Sequence, residues 1–274
     1  MLKRFLYVIQ VASTITLCNA ITGRAADEPE AKKDVVTHHY FSKSEHQHAA
    51  KWGYEGKIGP KFWGDLDPAY RLAKTGKRQS PINIETKVAA TKKLPALKFD
   101  YQVEQLSSFN NGHTIQHNEA PGSFLFVGDD RYALEQLHVH TPSEHTIDGK
   151  HFPMEIHLVH KSGSGRIAVV AVLVEAKEKG TVEVPFYFGL PSRSGEEVRY
   201  EGRRNPSDFL PQSRKYFEYS GSFTTPPCTE DVRWIVMQQP VRANPKLIHR
   251  FETLLKANNR PTKPLNGRVV GVSE

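Results

Sequence analysis

Three histidines lie within eight residues in the stretch LEQLHVHTPSEH, which runs from Leu134 to His145. Imidazole is the commonest metal ligand among side chains. If the stretch is a strand, His138 and His140 share one face, because side chains alternate along a strand. Two imidazoles two residues apart on one face can chelate a single ion. The spacing therefore indicates a metal site, although paired histidines on an ordinary surface would give the same pattern.

A second stretch, MEIHLVH, offers a third imidazole. As a strand it puts Glu155, His157 and Val159 on one face. The intervening TPSEHTIDGKHFP contains Asp-Gly, which is typical of a hairpin connection. Antiparallel pairing would then bring His157 beside His138 and His140. Three further histidines compete for the third position on spacing alone: His145, His151 and His160.

Three histidines without a fourth protein ligand are typical of an open, catalytic zinc site. Water takes the fourth position there, and the metal makes it acidic enough to supply hydroxide near neutral pH. Ligating imidazoles usually donate their second N–H to an acceptor, and Gln136 and Glu155 lie on the ligand-bearing faces. Helical zinc motifs fit poorly, because Pro142 would interrupt a helix through HTPSEH. The cofactor predicted from this pattern is Zn²⁺.

The elements that must position these residues are mainly strands. Short apolar or alternating runs bounded by Gly, Pro, Asn or Asp predict strands in SPINIET, ALKFDY, GSFLFV, YALEQLHVH, MEIHLVH, RIAVVAVLVEA and RWIVMQQPV. One helix is predicted from Asn244 as its cap and Pro245 in its first turn, followed by KLIHRFETLLKA. A shorter helical turn is expected near 206–211. The predicted fold is a β-dominated α+β single domain over 51–274 with a few surface helices.

The chain of 274 residues has a mean hydropathy of −0.53, which suits a soluble globular protein. The first 20 residues differ in composition from the rest of the chain. Lys3 and Arg4 precede the apolar run FLYVIQVASTITL, and the small residues of CNA follow it. This layout predicts a signal peptide over 1–20, with an uncleaved anchor as the alternative, although the run is short for a transmembrane helix. We therefore expect an exported protein, periplasmic or secreted, cleaved after Ala20 or Ala26 and without membrane insertion thereafter.

The segment 21–50 is polar, and a flexible lead-in is predicted there. It contains four histidines, whose role is left open: His38, His39, His46 and His48. The net charge of +7 falls to +5 when Lys3 and Arg4 are removed, and the basic residues are scattered, so nucleic-acid binding is not expected. Of the two cysteines, only Cys228 would survive cleavage, which excludes an intramolecular disulfide in the mature chain.

Seven sequence blocks together resemble the α-class carbonic anhydrases, in particular the exported bacterial type. QLHVHTPSEH, EIHLVH and GSFTTPPCTEDVRWIV are similar to the signature blocks of that family, and KWGYEG, QSPINI, NNGH and NRPTKPLNGR match four more in family order. The resemblance spans Lys51 to Arg268. It implies a large central, mainly antiparallel twisted sheet with short surface helices. It also implies reversible hydration of carbon dioxide to bicarbonate and a proton, with these two molecules as the small-molecule partners.

The resemblance implies a catalytic role for each matching residue. His138, His140 and His157 would bind zinc. Thr224 would accept a hydrogen bond from a zinc-bound hydroxide and donate its own to Glu144, which aims the hydroxide at carbon dioxide. Attack by this hydroxide would give bicarbonate.

Further residues take supporting roles by the same resemblance. His113 in NNGH would shuttle the proton, since an imidazole titrates near neutral pH, and Tyr54 would order the waters between zinc and His113. Thr225 would border the bicarbonate position. An apolar wall for carbon dioxide would comprise Val159, Val169, Phe223, Val232 and Trp234. The acceptors for the zinc ligands would be Gln136, Glu155 and the backbone carbonyl of Asn258. His145 would be structural.

Two positions depart from the family pattern. Exported bacterial members typically carry a cysteine that pairs with the one in TTPPC, but Ala73 stands at that position here, so Cys228 is expected either to stay free or to link two chains in a homodimer. Phe223 stands where leucine is common, and its larger ring is expected to lower turnover. The alternative to an enzyme is a non-catalytic carbonic-anhydrase-like binding module, although such relatives generally lack a zinc histidine.

Overall fold

The computed structural model describes residues 51–178 and 190–273. The predicted signal peptide (1–20) and the predicted lead-in (21–50) with its four histidines lie outside the described residues. Within the described ranges, no helix combines the length and the apolar character that a membrane crossing requires.

Thirteen strands of the described ranges form one large sheet. They are β2 (Ala90–Thr91), β3 (Leu97–Asp100), β4 (Glu104–Asn110), β5 (Ile115–Asn118), β6 (Phe124–Val127), β7 (Asp130–His140), β10 (Met154–Lys161), β11 (Ile167–Ala176), β12 (Glu197–Arg204), β13 (Tyr216–Ser222), β14 (Glu230–Met237), β15 (Val241–Ala243) and β16 (Gly271–Val272). Three short strands form a second sheet: β1 (Asn83–Ile84), β8 (Thr146–Ile147) and β9 (Lys150–His151).

The large sheet runs in the order β12-β4-β5-β7-β10-β11-β14-β13-β16-β2, with β6 beside β7, β3 beside β6 and β15 beside β11. Most neighbours are antiparallel, and β11 pairs in parallel with β14 and β15. The run IAVVAVLVEA forms β11 at the centre of the sheet, where β-branched side chains pack on both buried faces. The prediction of a β-dominated fold around a large, mainly antiparallel sheet is confirmed.

Strands β7 and β10 carry the three candidate ligands and pair antiparallel, as predicted. His157 lies directly opposite His138, and Glu155 lies opposite His140. The chain between them turns at Asp148 and Gly149, both with positive φ, which is the conformation that an Asp-Gly hairpin turn favours. The turn joins β8 to β9 in the small sheet, so the predicted hairpin connection is confirmed.

The helices within residues 51–178 and 190–273 are short and few. They are α1 (Trp63–Leu66), α2 (Leu72–Thr75) and α3 (Pro245–Leu255), with 3₁₀ turns at Gly56–Ile58, Pro68–Tyr70 and Pro206–Phe209. The Asn244 side chain accepts a hydrogen bond of 2.9 Å from the Lys246 N–H, so the predicted cap of α3 is confirmed. The 3₁₀ turn at Pro206–Phe209 confirms the second predicted helical turn.

Two hydrophobic clusters lie on opposite faces of β10, β11 and β14. One contains Ile156, Val170 and Ile235 and is covered by α3 through Phe251. The other contains Val159, Val169, Val232 and Trp234, among others. Because side chains alternate, His157 points to the face of the second cluster. The sheet therefore buries the candidate ligand against apolar side chains.

Candidate metal centre

The three candidate ligands converge on the face of the sheet that carries the cluster of Val159 and Trp234. The ring centroids are 5.0 Å apart between His138 and His140, 5.1 Å between His138 and His157, and 4.7 Å between His140 and His157. One nitrogen from each ring lies within 4.8 Å of the others. This is the spacing that a single ion bridging three imidazoles requires.

Each ring uses its other nitrogen in a hydrogen bond of 2.7–2.8 Å. The pairs are His138 Nδ1 with Gln136 Oε1, His140 Nδ1 with the Asn258 carbonyl, and His157 Nε2 with Glu155 Oε1. All three acceptors are oxygens, so the rings donate, and the proton of each neutral ring sits on the hydrogen-bonded nitrogen. The lone pairs that remain are on His138 Nε2, His140 Nε2 and His157 Nδ1.

Burial keeps the imidazoles in the form that binds metal. It lowers the pKa of His138 well below the usual value, and the neighbouring His140 and His157 lower it further. Burial also lowers the pKa of His140, against the opposing effect of the Glu144 carboxylate. A neutral imidazole has a free lone pair, so these shifts favour coordination.

Glu155 organises this side of the site by accepting four hydrogen bonds. Its Oε2 accepts from the backbone N–H groups of Glu144 and His145, each at 2.8 Å. Its Oε1 accepts from His145 Nδ1 at 2.6 Å and from His157 Nε2 at 2.7 Å. Burial acts to raise the pKa of Glu155, but the charges and hydrogen bonds of His145 and His157 outweigh it, and the pKa lies well below its ordinary value.

The histidines that compete for the third ligand position are occupied or turned elsewhere. His145 Nε2 bonds the Tyr219 hydroxyl at 2.7 Å, so both of its ring nitrogens are used. His160 bonds the Tyr101 hydroxyl at 2.7 Å on the other face of the sheet. His151 is exposed and bonds the Ser143 carbonyl. The geometry therefore leaves His157 as the partner of His138 and His140.

Glu144 lies beside the triad and is held by the backbone of a distant segment. Its Oε1 accepts the Arg260 N–H at 2.8 Å. Its Oε2 is buried without a hydrogen-bond partner, 3.6 Å from His140 Nε2 and 4.0 Å from His157 Nδ1. The hydrogen bond from Thr224 that the resemblance implies is therefore not formed at this oxygen, although Thr224 is buried. The role of Thr224 stays a prediction.

Arg260 positions Glu144 and was not singled out from the sequence. Its side chain is fully buried, donating to the Ser80 carbonyl at 2.8 Å and to the Ala73 carbonyl at 3.1 Å, with the guanidinium over the Trp63 ring. A buried guanidinium held by carbonyl groups fixes the backbone that carries the donor to Glu144. The signal was present, since Arg260 lies within the NRPTKPLNGR block.

Asn258 links the triad to the candidate proton shuttle. Besides accepting from His140, it accepts the Thr141 N–H at its Oδ1, and its Nδ2 donates to the carbonyls of His113 and Val139. The residue is almost fully buried, so these hydrogen bonds fix its orientation. Its predicted contact with His140 is present, and it also ties the His113 loop to the same point.

The candidate shuttle His113 is half-buried and stacks on Trp52, with ring centroids 3.7 Å apart and an interplanar angle of 5°. Burial lowers the pKa of His113. Tyr54 packs edge-on against Trp52 and Trp63. Burial raises the pKa of Tyr54 well above its usual value, and the Glu144 carboxylate adds to this shift. Trp52 is a further site residue that sequence reasoning missed, although it lies in KWGYEG.

The predicted apolar wall forms one continuous cluster beside His157. Its members are Val159, Val169, Val232 and Trp234, all nearly fully buried, with the half-buried Phe223 packed against them. Trp234 contacts the His157 ring at a centroid distance of 4.9 Å. Thr225 is half-buried in the loop between β13 and β14, where its carbonyl accepts the Cys228 N–H. These side chains border the imidazoles with apolar surface.

Cys228 and Ala73 belong to one small buried cluster with Trp63. The thiol is free and fully buried, and burial raises its pKa to about 11. A sulfur without solvent access is not placed to bond another chain. Of the two expectations for Cys228, the structure therefore favours a free thiol over a link between chains.

Comparisons with known proteins agree with this geometry. A family model described as eukaryotic-type carbonic anhydrase matches residues 58–274. A carbonic anhydrase of Pectobacterium carotovorum is 41% identical over 80% of this chain and 89% of that protein, and one of Neisseria gonorrhoeae is 40% identical over 84% and 91%. The solved α-carbonic anhydrase of Thermovibrio ammonificans, in complex with the inhibitor sulfanilamide, gives a TM-score of 0.79 at 40% identity and covers 81% of this chain and 99% of that chain.

A large sheet that presents three convergent imidazoles from adjacent strands defines a β-sheet enzyme built around a three-histidine centre that can hold a metal. The sequence matches extend over the strands and loops that build this centre. The chain belongs to the eukaryotic-type, or α-class, carbonic anhydrase family. The resemblance drawn from the seven sequence blocks is confirmed.

Proposed function

We propose that the chain catalyses the reversible hydration of carbon dioxide to bicarbonate and a proton, with Zn²⁺ held by His138, His140 and His157. The observation that carries the proposal is the arrangement of these rings. Each is fixed by a hydrogen bond at one nitrogen and offers the lone pair of the other toward a common point. Membership of the carbonic anhydrase family supports the assignment of the reaction.

The residues present fit the ion. His140 Nε2 and His157 Nδ1 are buried without a hydrogen-bond partner, which is costly for polar atoms unless something coordinates them. Three neutral imidazoles are a donor set that suits zinc and leaves a position open. When bound, zinc lowers the pKa of a water molecule to about 7, a value established for carbonic anhydrases themselves.

Glu144 and Thr224 orient the attacking oxygen in this proposal. Glu144 Oε1 is occupied by the Arg260 N–H, so Oε2 is the oxygen left to accept from a hydroxyl. In the zinc-loaded enzyme the Thr224 hydroxyl would donate to Glu144 Oε2, a hydrogen bond that the present structure does not contain, and its own lone pairs would stay free. Those lone pairs would accept the hydrogen of the attacking oxygen, and Thr224 would thereby orient that oxygen toward carbon dioxide.

Carbon dioxide lies against the apolar wall in this proposal. The molecule is uncharged and small, so apolar contact with Val159, Val232 and Trp234 holds it without a strong polar interaction. Thr225 borders the bicarbonate product. The ring of Phe223 reduces the space for carbon dioxide beside this wall.

His113 exports the proton. Its lowered pKa leaves the imidazole neutral near pH 7, ready to accept a proton from water ordered by Tyr54. Its stacking on Trp52 holds the ring at the half-buried edge of the site, from which buffer can take the proton. His113→Ala should slow turnover most in weak buffer, and imidazole should restore it. An equal loss at every buffer concentration would contradict a shuttle role.

The proposal is tested by carbon dioxide hydration measured beside bound zinc. We expect the zinc-loaded protein to be active and His157→Ala to lose zinc and activity together. His249→Ala, which removes an exposed histidine from α3, serves as the matched control and should change neither. A zinc-loaded protein without hydration activity would overturn the enzyme assignment and favour a non-catalytic binding module.

Export and pairing of chains are proposals that rest on the sequence. Sequencing the N-terminus of the mature protein should show cleavage after Ala20 or Ala26. A mature chain that begins at Met1 would contradict export through this signal. Sedimentation of the mature protein distinguishes a monomer from the homodimer.

A further inference from the structure

A second group of metal-ligating side chains lies outside the catalytic centre. It consists of Glu104 at the start of β4, His117 on β5 and Glu119 immediately after β5. One ligand atom from each lies within 4.8 Å of the others. Strand β5 pairs with β7 so that His117 lies opposite Leu137, whose side chain belongs to the hydrophobic cluster under α3. The group therefore occupies the face of the sheet opposite the catalytic triad.

The His117 ring is oriented as a metal ligand would be. Its Nδ1 lies 2.5 Å from the Ser107 carbonyl oxygen. The Ser107 N–H also points at Nδ1, at 3.0 Å, but the carbonyl oxygen is the nearer neighbour and can accept a proton carried by Nδ1. With the proton on Nδ1, Nε2 of the neutral ring offers its lone pair to a cation, 3.4 Å from Glu104 Oε1 and 3.7 Å from Glu119 Oε1; without a cation, Nε2 is the hydrogen-bond partner of Glu104 Oε1. A backbone carbonyl that accepts from the second ring nitrogen is the usual support of a ligating histidine.

Glu119 is the second independent sign of a ligand. Its side chain is 0% exposed, and no N–H or hydroxyl group of the described residues donates to either carboxyl oxygen, so their hydrogen-bonding neighbour is the carboxyl group of Glu104. Glu104 has a protein donor, because its Oε2 accepts a hydrogen bond of 2.9 Å from the Ala120 N–H. Its Oε1 is directed at His117. Buried polar groups are normally satisfied. Here two carboxyl groups and one imidazole nitrogen lie within 4.8 Å of one another, so a cation or a shared proton must lie among them.

The electrostatics agree with this view. Burial raises the pKa of Glu119, and the hydrogen bond and charge of Glu104 raise it further. Without a bound cation, one carboxyl of the pair therefore keeps a proton near neutral pH. A divalent cation would displace that proton and neutralise both carboxylates at once.

We propose that Glu104 Oε1, His117 Nε2 and Glu119 Oε1 form a second site for a divalent transition-metal cation, distinct from the catalytic centre. Ligand atoms about 2.0–2.2 Å from a tetrahedral ion lie about 3.4 Å apart. The two distances from His117 Nε2, 3.4 and 3.7 Å, match this separation. A mixed set of imidazole and carboxylates suits ions such as Zn²⁺. The Glu104 side chain is 14% exposed and marks the route of entry.

The ion would clasp β4 to β5 near one end of the large sheet. The backbone register between these strands pairs Phe109 with Gln116 and Asn110 with Ile115. Glu104 lies at the other end of β4 from these backbone pairs, so the ion would link β4 to β5 where the two strands are not paired. Its role is structural in this proposal, and the catalytic residues are not part of it.

The test is the zinc content of the full-length protein after loading with Zn²⁺ and removal of free metal. The variants His117→Ala and Glu119→Gln should each hold one zinc per chain fewer than the unaltered protein, and both should keep their hydration activity. His249→Ala is the matched control and should hold the same amount as the unaltered protein. The histidines of the segment 21–50 are present in every variant, so any zinc they bind cancels in the differences.

Glu119→Gln keeps the shape of the side chain and provides a folded variant if His117→Ala does not fold. An equal zinc content in the unaltered protein and in these variants would overturn the proposal. It would mean that a shared proton satisfies the two carboxyl groups. Loss of activity in the zinc-loaded unaltered protein would bear on the proposed reaction and leave this difference in zinc content unaffected.

Discussion

The exchange Glu155→Gln tests how the protein holds the triad in one protonation state. The carboxylate accepts two hydrogen bonds at each oxygen, from two backbone N–H groups at Oε2 and from two imidazoles at Oε1. Glutamine has nearly the same volume but only one acceptor oxygen. Whichever way the amide lies, its NH₂ group meets two donors that the carboxylate had satisfied.

The two orientations of the amide have different costs. If its nitrogen faces the N–H groups of Glu144 and His145, two buried donors lose their acceptor, at about 1–3 kcal/mol each. The free energy of unfolding should then fall by about 2–6 kcal/mol. If the nitrogen faces the imidazoles, His157 Nε2 must become an acceptor, and the ring proton moves to Nδ1. That nitrogen points to the metal position, so zinc affinity should fall by about 10–100-fold.

Two measurements separate these outcomes. Competition with a chelator gives the zinc affinity, and urea unfolding of the zinc-free protein gives the stability. Glu252→Gln is the matched control, since that carboxylate lies beside His249 on the exposed side of α3. We expect Glu155→Gln to lose at least about 2 kcal/mol of stability or about tenfold in zinc affinity. A variant that matches the unaltered protein in both would refute the argument that Glu155 fixes the tautomer of His157.

Three further changes have defined outcomes. Ala73→Cys should form a disulfide with Cys228 under oxidising conditions, because both residues lie in one buried cluster. The disulfide would close a loop of about 155 residues, which corresponds to a stabilisation of up to about 5 kcal/mol in the chain-entropy model. Two titratable thiols after oxidation would contradict formation of this disulfide. Phe223→Leu should raise kcat at unchanged zinc content by less than about tenfold, measured by stopped-flow hydration, and a lower kcat would contradict the predicted narrowing. Burial lowers the pKa of His160 to about 3, whereas the pKa in the unfolded chain is about 6.5. Between these two values only the unfolded state takes up the proton as the pH falls. The free energy of unfolding therefore declines by up to about 1.4 kcal/mol per pH unit from about pH 6.5 to 3. His160→Gln should flatten that part of the urea-unfolding profile, and equal slopes in both proteins would show that His160 is not responsible.

The strand pattern was predictable because its signals are local. Alternation placed His138 and His140 on one face, and the Asp-Gly dipeptide marked the hairpin that leads to β10. The cap of α3 was likewise predictable from Asn244 and Pro245. These features depend on a few neighbouring residues, so the sequence specifies them directly.

The choice of the third ligand was not local. On spacing alone, four histidines competed, and the choice of His157 rested on the family resemblance. The structure brings His157 opposite His138 and shows His145 bonded at both nitrogens by Glu155 and Tyr219. Tyr219 is 74 residues away from His145 along the chain. The spacing of residues along the sequence cannot predict a hydrogen bond between side chains so far apart in the chain.

The sequence by itself determined the strand faces, the hairpin, the capped helix and the family to which the chain belongs. Only the tertiary structure decided which nitrogen of each ring is free, because Asn258 reaches His140 from 118 residues away and Arg260 reaches Glu144 from 116. It alone also brought Glu104, His117 and Glu119 together on the opposite face. The reason is physical. Alternation along a strand depends on neighbouring residues, whereas burial and tautomer depend on atoms that meet only after distant segments have packed.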